Sequence, residues 1–130
     1  MSQELIALKQ RILDHLVKYM KFGSAKGEND PGYNPNFDAG YTQTNVDQCE
    51  EILDAFLVDL ANVSGAIRQE QIRTAVKTIV LGLNKVNEDC DRPLIETLER
   101  EYFCDFIITA ARQAGLASDA DDITEEWREW

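Results

Sequence analysis

LIETLEREYFCDFIITAARQAGL, residues 94–116, is the stretch whose reading decides the fold. Leu94, Ile95, Leu98, Tyr102, Phe103, Phe106, Ile107, Ile108, Ala110, Ala111 and Ala114 recur at helical spacing and cover more than one face of a 3.6-residue period. A helix that is apolar around much of its circumference packs on several sides, so this stretch reads as the central helix of an all-α domain. Pro93 suits a first helical turn, and Gly115 suits a left-handed stop. Glu96, Glu99 and Glu101 fall near the positive end of the helix dipole, and Arg112 near the negative end. Glu96 and Arg100, four apart, are spaced as an intrahelical ion pair.

Working outward, three further stretches carry a helical period. Ser2 is placed to cap a first helix over residues 3–22, with Leu5, Leu8, Ile12, Leu16 and Tyr19 as its stripe and Gly23 as its end. A second helix runs from Thr44 or Asn45 to Val63, with Thr44 and Asp47 spaced as a capping box. Its apolar face is Val46, Cys49, Leu53, Phe56, Leu60 and Val63, and the opposite face is acidic. Ser64-Gly65 breaks the chain before a third helix from about Arg68 to Asn84 or slightly beyond, with Ile72, Ala75, Ile79, Leu83 and Val86 as its stripe and bases spaced to pair with the acidic helices around it. Asn84 and Asn87 are placed to satisfy backbone groups at its end. Thr124 marks a short final helix, with Trp127 and Trp130 on one side as anchors. The expectation is a single domain over 1–130: a four-helix, bundle-like all-α fold with a long first loop and a short C-terminal helix.

That loop, GSAKGENDPGYNPNFDAGYTQ over residues 23–43, contains four glycines and two prolines, which exclude regular structure over most of it. Tyr33, Phe37 and Tyr41 recur every four residues within it. They either close one side of the bundle or form an adaptable aromatic surface for a partner.

The chain has a net charge of −11, unevenly spread. Residues 44–67 hold Asp47, Glu50, Glu51, Asp54 and Asp59 and no base. Such a charge repels nucleic acid and anionic membrane, and it either serves solubility alone or attracts a basic partner. No uncharged apolar run is long enough to span a bilayer. The opening MSQELIALKQ lacks the basic start and unbroken apolar core of a signal peptide, which points to the cytoplasm. Three cysteines, Cys49, Cys90 and Cys104, form no CxxC pair and read as free thiols.

Nothing in the sequence calls for catalysis. His15 is the single histidine, reads as a surface or half-buried side chain, and has no nucleophile motif beside it. No phosphate-binding glycine loop and no zinc set occurs, and NEDCDRPLIE lacks the glycine and the order of a calcium loop. No cofactor and no metal is expected.

Two segments carry a family signal. LNKVNEDCDRPLIETLEREYFCDFI (83–107) contains Leu83-Asn84 and Asn87, then Leu94 to Thr97 with Arg100-Glu101; DITEEWREW (122–130) contains Asp122 to Thr124 with Trp127, Arg128 and Trp130. Together they resemble a family of small acidic bacterial proteins similar to the immunity proteins of contact-dependent and other polymorphic toxin systems. The resemblance covers about a quarter of the chain and implies a class, not a set of binding residues. With the charge, it gives the expected function: a cytoplasmic protein, monomer or weak dimer, that neutralises a basic, nuclease-type toxin. The partner-binding residues expected on physical grounds are Asp47, Glu50, Glu51 and Asp54, with Tyr33, Phe37 and Tyr41 as apolar anchors. A small-molecule-binding protein or an enzyme with a carboxylate-lined cleft, and a self-associating structural protein, are the alternatives.

Overall fold

The computed structural model describes residues 2–22, 38–118 and 122–130. Helix α1 (Gln3–Phe22) begins where the Ser2 hydroxyl accepts the Leu5 amide at 3.2 Å. Helix α2 (Gln43–Ala61) begins one to two residues earlier than its sequence suggests. Thr42, not Thr44, is the N-cap, and Asn45 closes the capping box by accepting the Thr42 amide at 3.0 Å. A 3-10 turn at Gly65–Ile67 leads into α3 (Arg68–Asp89), which extends past Asn84 because Val86 and Asn87 also face the core. Helix α4 spans Thr97–Gln113.

The four helices run alternately up and down. Lys9 of α1 meets Glu50 and Asp54 of α2, while Tyr41, just before α2, reaches Leu16 near the far end of α1. Gly82 of α3 faces Ile52 of α2, and Gln71 accepts the Ser64 amide beyond the other end of α2. His15 and Arg11 of α1 meet Glu99 and Asp105 of α4. Each neighbouring pair is therefore antiparallel. Phe56 of α2 and Phe106 of α4 stand 6.2 Å apart at the centre, and Ile12, Leu16, Leu53, Ile72, Leu83 and Phe103 are sealed around them. Each such side chain contributes about 1.5–3 kcal/mol by leaving water.

Helix α4 does not start at Pro93. At the end of α3 the Asp91 amide donates to Glu88 O and the Arg92 amide to Asn87 O, with Asp91 and Arg92 both in the left-handed region. This Schellman stop turns the chain sharply. Leu94 and Ile95 then enter the core as non-helical backbone, held by Asn87 Oδ1, which accepts the Ile95 amide at 3.0 Å. Glu96 is the true N-cap, forming a capping box with Glu99. Its carboxylate is thereby committed to the helix start, so the expected ion pair with Arg100 does not form. Gly115 closes α4 as expected: at φ +106° it lets the Leu116 amide reach Ala111 O.

Among its described residues the C-terminal segment makes a single turn and no further helix. The Trp127 and Arg128 amides both donate to Thr124 O, and the rest runs as a docked strap. Trp127 and Trp130 pack on the core, Trp130 with its ring 6.2 Å from that of Phe103. Among the described residues no helix is long and apolar enough to cross a membrane.

Candidate functional site

The acids of α2 divide into two rows. Glu50 and Asp54 turn towards α1, where Lys9 Nζ lies 2.6 Å from Asp54 and 3.4 Å from Glu50. Both carboxylates stay about half exposed, at 47% and 50%, so each pair adds only ~0–1 kcal/mol and leaves the surface acidic. Asp47 and Glu51 are exposed one turn apart. Asp47 accepts the Gln43 side-chain amide at 2.9 Å; neither residue forms an ion pair among the described residues. Asp47, Glu51 and Asp54 thus line one face over two turns, with the 59% exposed Val58 one turn further on. Among the described residues the bases of α3 do not reach them, and the Lys and Arg ion pairs between helices come from Lys9 and Arg11 of α1.

Tyr41 is not a surface anchor. Its ring is buried, and its hydroxyl donates to Leu16 O at 2.8 Å. Burial pushes the phenol well above the ordinary tyrosine range. Its neighbour Gly40, at φ +81°, sits so close to Pro93 that a Cβ there would lie 2.8 Å from the ring carbon. This end of the loop is therefore structural. Tyr33 and Phe37 lie outside the described residues.

The sequence reading missed the most constrained polar pair. His15, read as a surface or half-buried side chain, is 7% exposed; its Nε2 is 2.6 Å from Glu99 Oε2. Tyr102 meets the imidazole edge-on at 5.3 Å and Tyr19 stacks at 6.2 Å. Arg11 lies over the Tyr102 ring at 4.2 Å while pairing with Asp105 at 3.1 Å. The other Glu99 oxygen accepts the Glu96 amide at 3.1 Å. Burial alone would raise the Glu99 carboxyl, but the hydrogen bonds from His15 and from the Glu96 amide outweigh it and hold Glu99 below the ordinary glutamate range. Glu99 is thus ionised at neutral pH, and the His15 Nε2–H donates to it. The signal was present: His15 falls between Ile12, Leu16 and Tyr19 on the apolar stripe of α1, so it had to be buried and paired.

Comparison with protein-family models, with curated proteins and with solved structures finds no match. Asn84, Asn87, Asp122 and Arg128 have structural roles. Asn84 donates to Trp127 O at 2.8 Å and accepts the Glu129 amide at 3.1 Å, binding the C-terminal strap as a neighbouring strand would. Asn87 holds Ile95 of the Pro93–Thr97 entry. Asp122 accepts both the Thr124 amide and hydroxyl and pairs with Arg128 at 2.8 Å; Arg128 also donates to Trp130 O. Burial would raise Asp122, and these bonds from Thr124 and Arg128 lower it instead. These residues fasten two irregular segments to α3 and α4.

The cysteines are free. Cys49 is sealed in the core, and burial pushes its thiol up to about 12. Cys104, half-buried, lies 3.5 Å from the Thr124 hydroxyl. No three His, Cys, Asp or Glu side chains converge as a metal site among the described residues. Glu88, in the last turn of α3, is engaged by Arg92 of the following loop at 3.2 Å.

Proposed function

We propose that this chain is a protein-interaction module of the immunity type, which binds a cognate basic bacterial toxin in the cytoplasm and neutralises it. The observation that carries this reading is the exposed acid row Asp47, Glu51 and Asp54 on α2, offset only by Lys9 among the described residues. A net charge of −11 on 130 residues projects this field well beyond contact distance. Fields of this kind raise association rates from ~10⁵–10⁶ to as much as ~10⁸–10⁹ M⁻¹s⁻¹ at low salt and penalise anionic partners. A toxin acting on nucleic acid carries a cationic cleft for phosphates, and a rigid row of carboxylates imitates that substrate. The acids lie on a helix fixed by the core residues Val46, Cys49, Leu53, Phe56 and Leu60, so little ordering entropy is lost on binding.

The test is co-expression with toxin domains encoded beside this protein. One of them should arrest growth alone and not in its company, and the two should co-purify. Growth arrest that persists with each neighbouring toxin, with no complex recovered, contradicts the reading.

A second reading has one feature in its favour. Between α2 and α3 lies a cleft of 490 Å³ that includes the carboxylates of Asp59 and Glu70. A small cationic metabolite held there would raise the melting temperature by mass action, which a thermal-shift screen detects.

A further inference from the structure

We infer that the acid row of α2 works together with an apolar cleft at its C-terminal end, and that the pair selects a basic protein segment bearing a bulky apolar anchor. This inference rests on the interaction reading above and specifies the partner's chemistry. Where α1 begins and α2 and α4 end, the helices leave an open cleft of 570 Å³. Leu5, Leu57, Val58 and Leu60 line it together with Ala110 and Ala114 of α4, and Leu5, Leu60 and Ala110 among them are buried. The two alanines leave room that larger side chains would fill. Val58, in the lining, is 59% exposed. An exposed aliphatic side chain in an open, largely apolar cleft is the composition of a docking surface.

What fills the cleft is set by its surroundings. Asp54 is part of its lining, and Glu51 and Asp47 continue from it along the same face of α2. From Val58 to Asp47 the helix rises about 16 Å at 1.5 Å per residue. A complementary segment therefore carries a Leu, Phe or similar side chain at one end. Lysines or arginines follow it at intervals of one helical turn. The same acids disfavour the other candidates. A second copy of a chain with net charge −11 would bring like charges together here, and an anionic lipid surface would be repelled.

The test uses the full chain and three synthetic helical peptides. The first has a leucine-rich turn followed by two turns with lysine on the same face. The second replaces the leucines with glutamine, and the third replaces the lysines with glutamate. Amide shift mapping and titration calorimetry follow binding to wild type, Val58→Gln, Ala61→Phe and Glu51→Lys. Val58→Gln keeps the charge and alters an already exposed position, and Ala61→Phe plugs the cleft from its lining, so both act without opening the core. The first peptide should move the amides of Val58, Ala61 and Ala114. Its affinity should fall about tenfold in Val58→Gln and in Ala61→Phe, the factor carried by roughly one buried aliphatic side chain. The other two peptides should bind at least as weakly. Equal affinity for wild type and both cleft variants, with Glu51→Lys still weakening binding, overturns the cleft and leaves the acidic interaction face standing. Indifference to all three substitutions removes support from both. Sedimentation showing wild-type dimers that Val58→Gln dissolves would assign the cleft to a second copy and overturn the inference.

Discussion

Replacing Asn84 with alanine should release the C-terminal strap while leaving the four helices intact. Asn84 is 6% exposed and its side chain is spent on two backbone groups, the Trp127 carbonyl at 2.8 Å and the Glu129 amide at 3.1 Å. Each bond contributes about 1 kcal/mol net, so their loss weakens docking by about 2 kcal/mol. At 1.36 kcal/mol per factor of ten, the opened population rises about thirtyfold. Opening also returns the orphaned carbonyl and amide to water, so the strap yields before the core does. The chain's only two tryptophans, Trp127 and Trp130, both lie in the strap and report its state. In the variant, tryptophan emission should shift red in low urea, ahead of the loss of helical circular dichroism. Exchange of the Glu129, Arg128 and Trp127 amides should speed up about thirtyfold by the same factor, while core amides such as that of Leu53 keep their protection. Unchanged strap exchange in Asn84→Ala refutes the reasoning. Equal acceleration of strap and core would show that the strap opens only when the whole domain unfolds.

Other expectations follow from the same contacts. Because the folded state lowers the Glu99 pKa, Glu99 adds stability above its unfolded value of about 4.3, and this is lost as pH falls through the lower folded value. Glu99→Gln should therefore flatten the acid limb of a urea-midpoint profile, and a limb identical to wild type contradicts the pairing. The two glycines Gly40 and Gly82 should respond oppositely in chemical denaturation. Gly40→Ala places a Cβ at φ +81° and 2.8 Å from Pro93, and destabilises by at least about 1–2 kcal/mol. Gly82→Ala sits mid-helix with its Cβ 3.4 Å from Ile52, in ordinary contact, and should stabilise by up to about 1 kcal/mol. Since burial holds the Cys49 thiol up to about 12, its labelling by a thiol reagent at pH 8 should track unfolding. Fast native labelling at Cys49 would contradict its placement.

The helices were legible because each has an unbroken apolar period with punctuation at its ends. The stripe of α1, the Ser2 cap and the Gly115 stop needed no tertiary knowledge. What the sequence concealed were local choices settled by distant partners. Pro93 looked like a helix start, yet Asn87 captures the Ile95 amide and the core takes Leu94 and Ile95, so the helix waits until Glu96. Tyr41 looked like the last of three loop aromatics, but the carbonyl of Leu16 gives its hydroxyl a buried partner. His15 lay visibly within an apolar stripe; its partner Glu99 is 84 residues away and also serves a helix cap, which periodicity cannot express. Of the acids expected to bind a partner, Asp47, Glu51 and Asp54 are exposed and Glu50 is about half-exposed, but only Asp47 and Glu51 are clear of Lys9. That difference depends on how α1 crosses α2.

The central claim is that the acid face of α2 attracts a basic protein partner, and association kinetics test it most directly. The rate constant for binding a basic partner recovered by co-expression would be measured by stopped flow from low to high salt, for wild type and for Asp47→Lys/Glu51→Lys. These two positions lie outside the ion pairs, so the fold should be retained. The account predicts a rate that falls steeply with salt in wild type. The variant should be at least about tenfold slower at low salt, with the two curves converging as the Debye length shrinks to ~3 Å near 1 M. Equal rates for variant and wild type at low salt would contradict the claim.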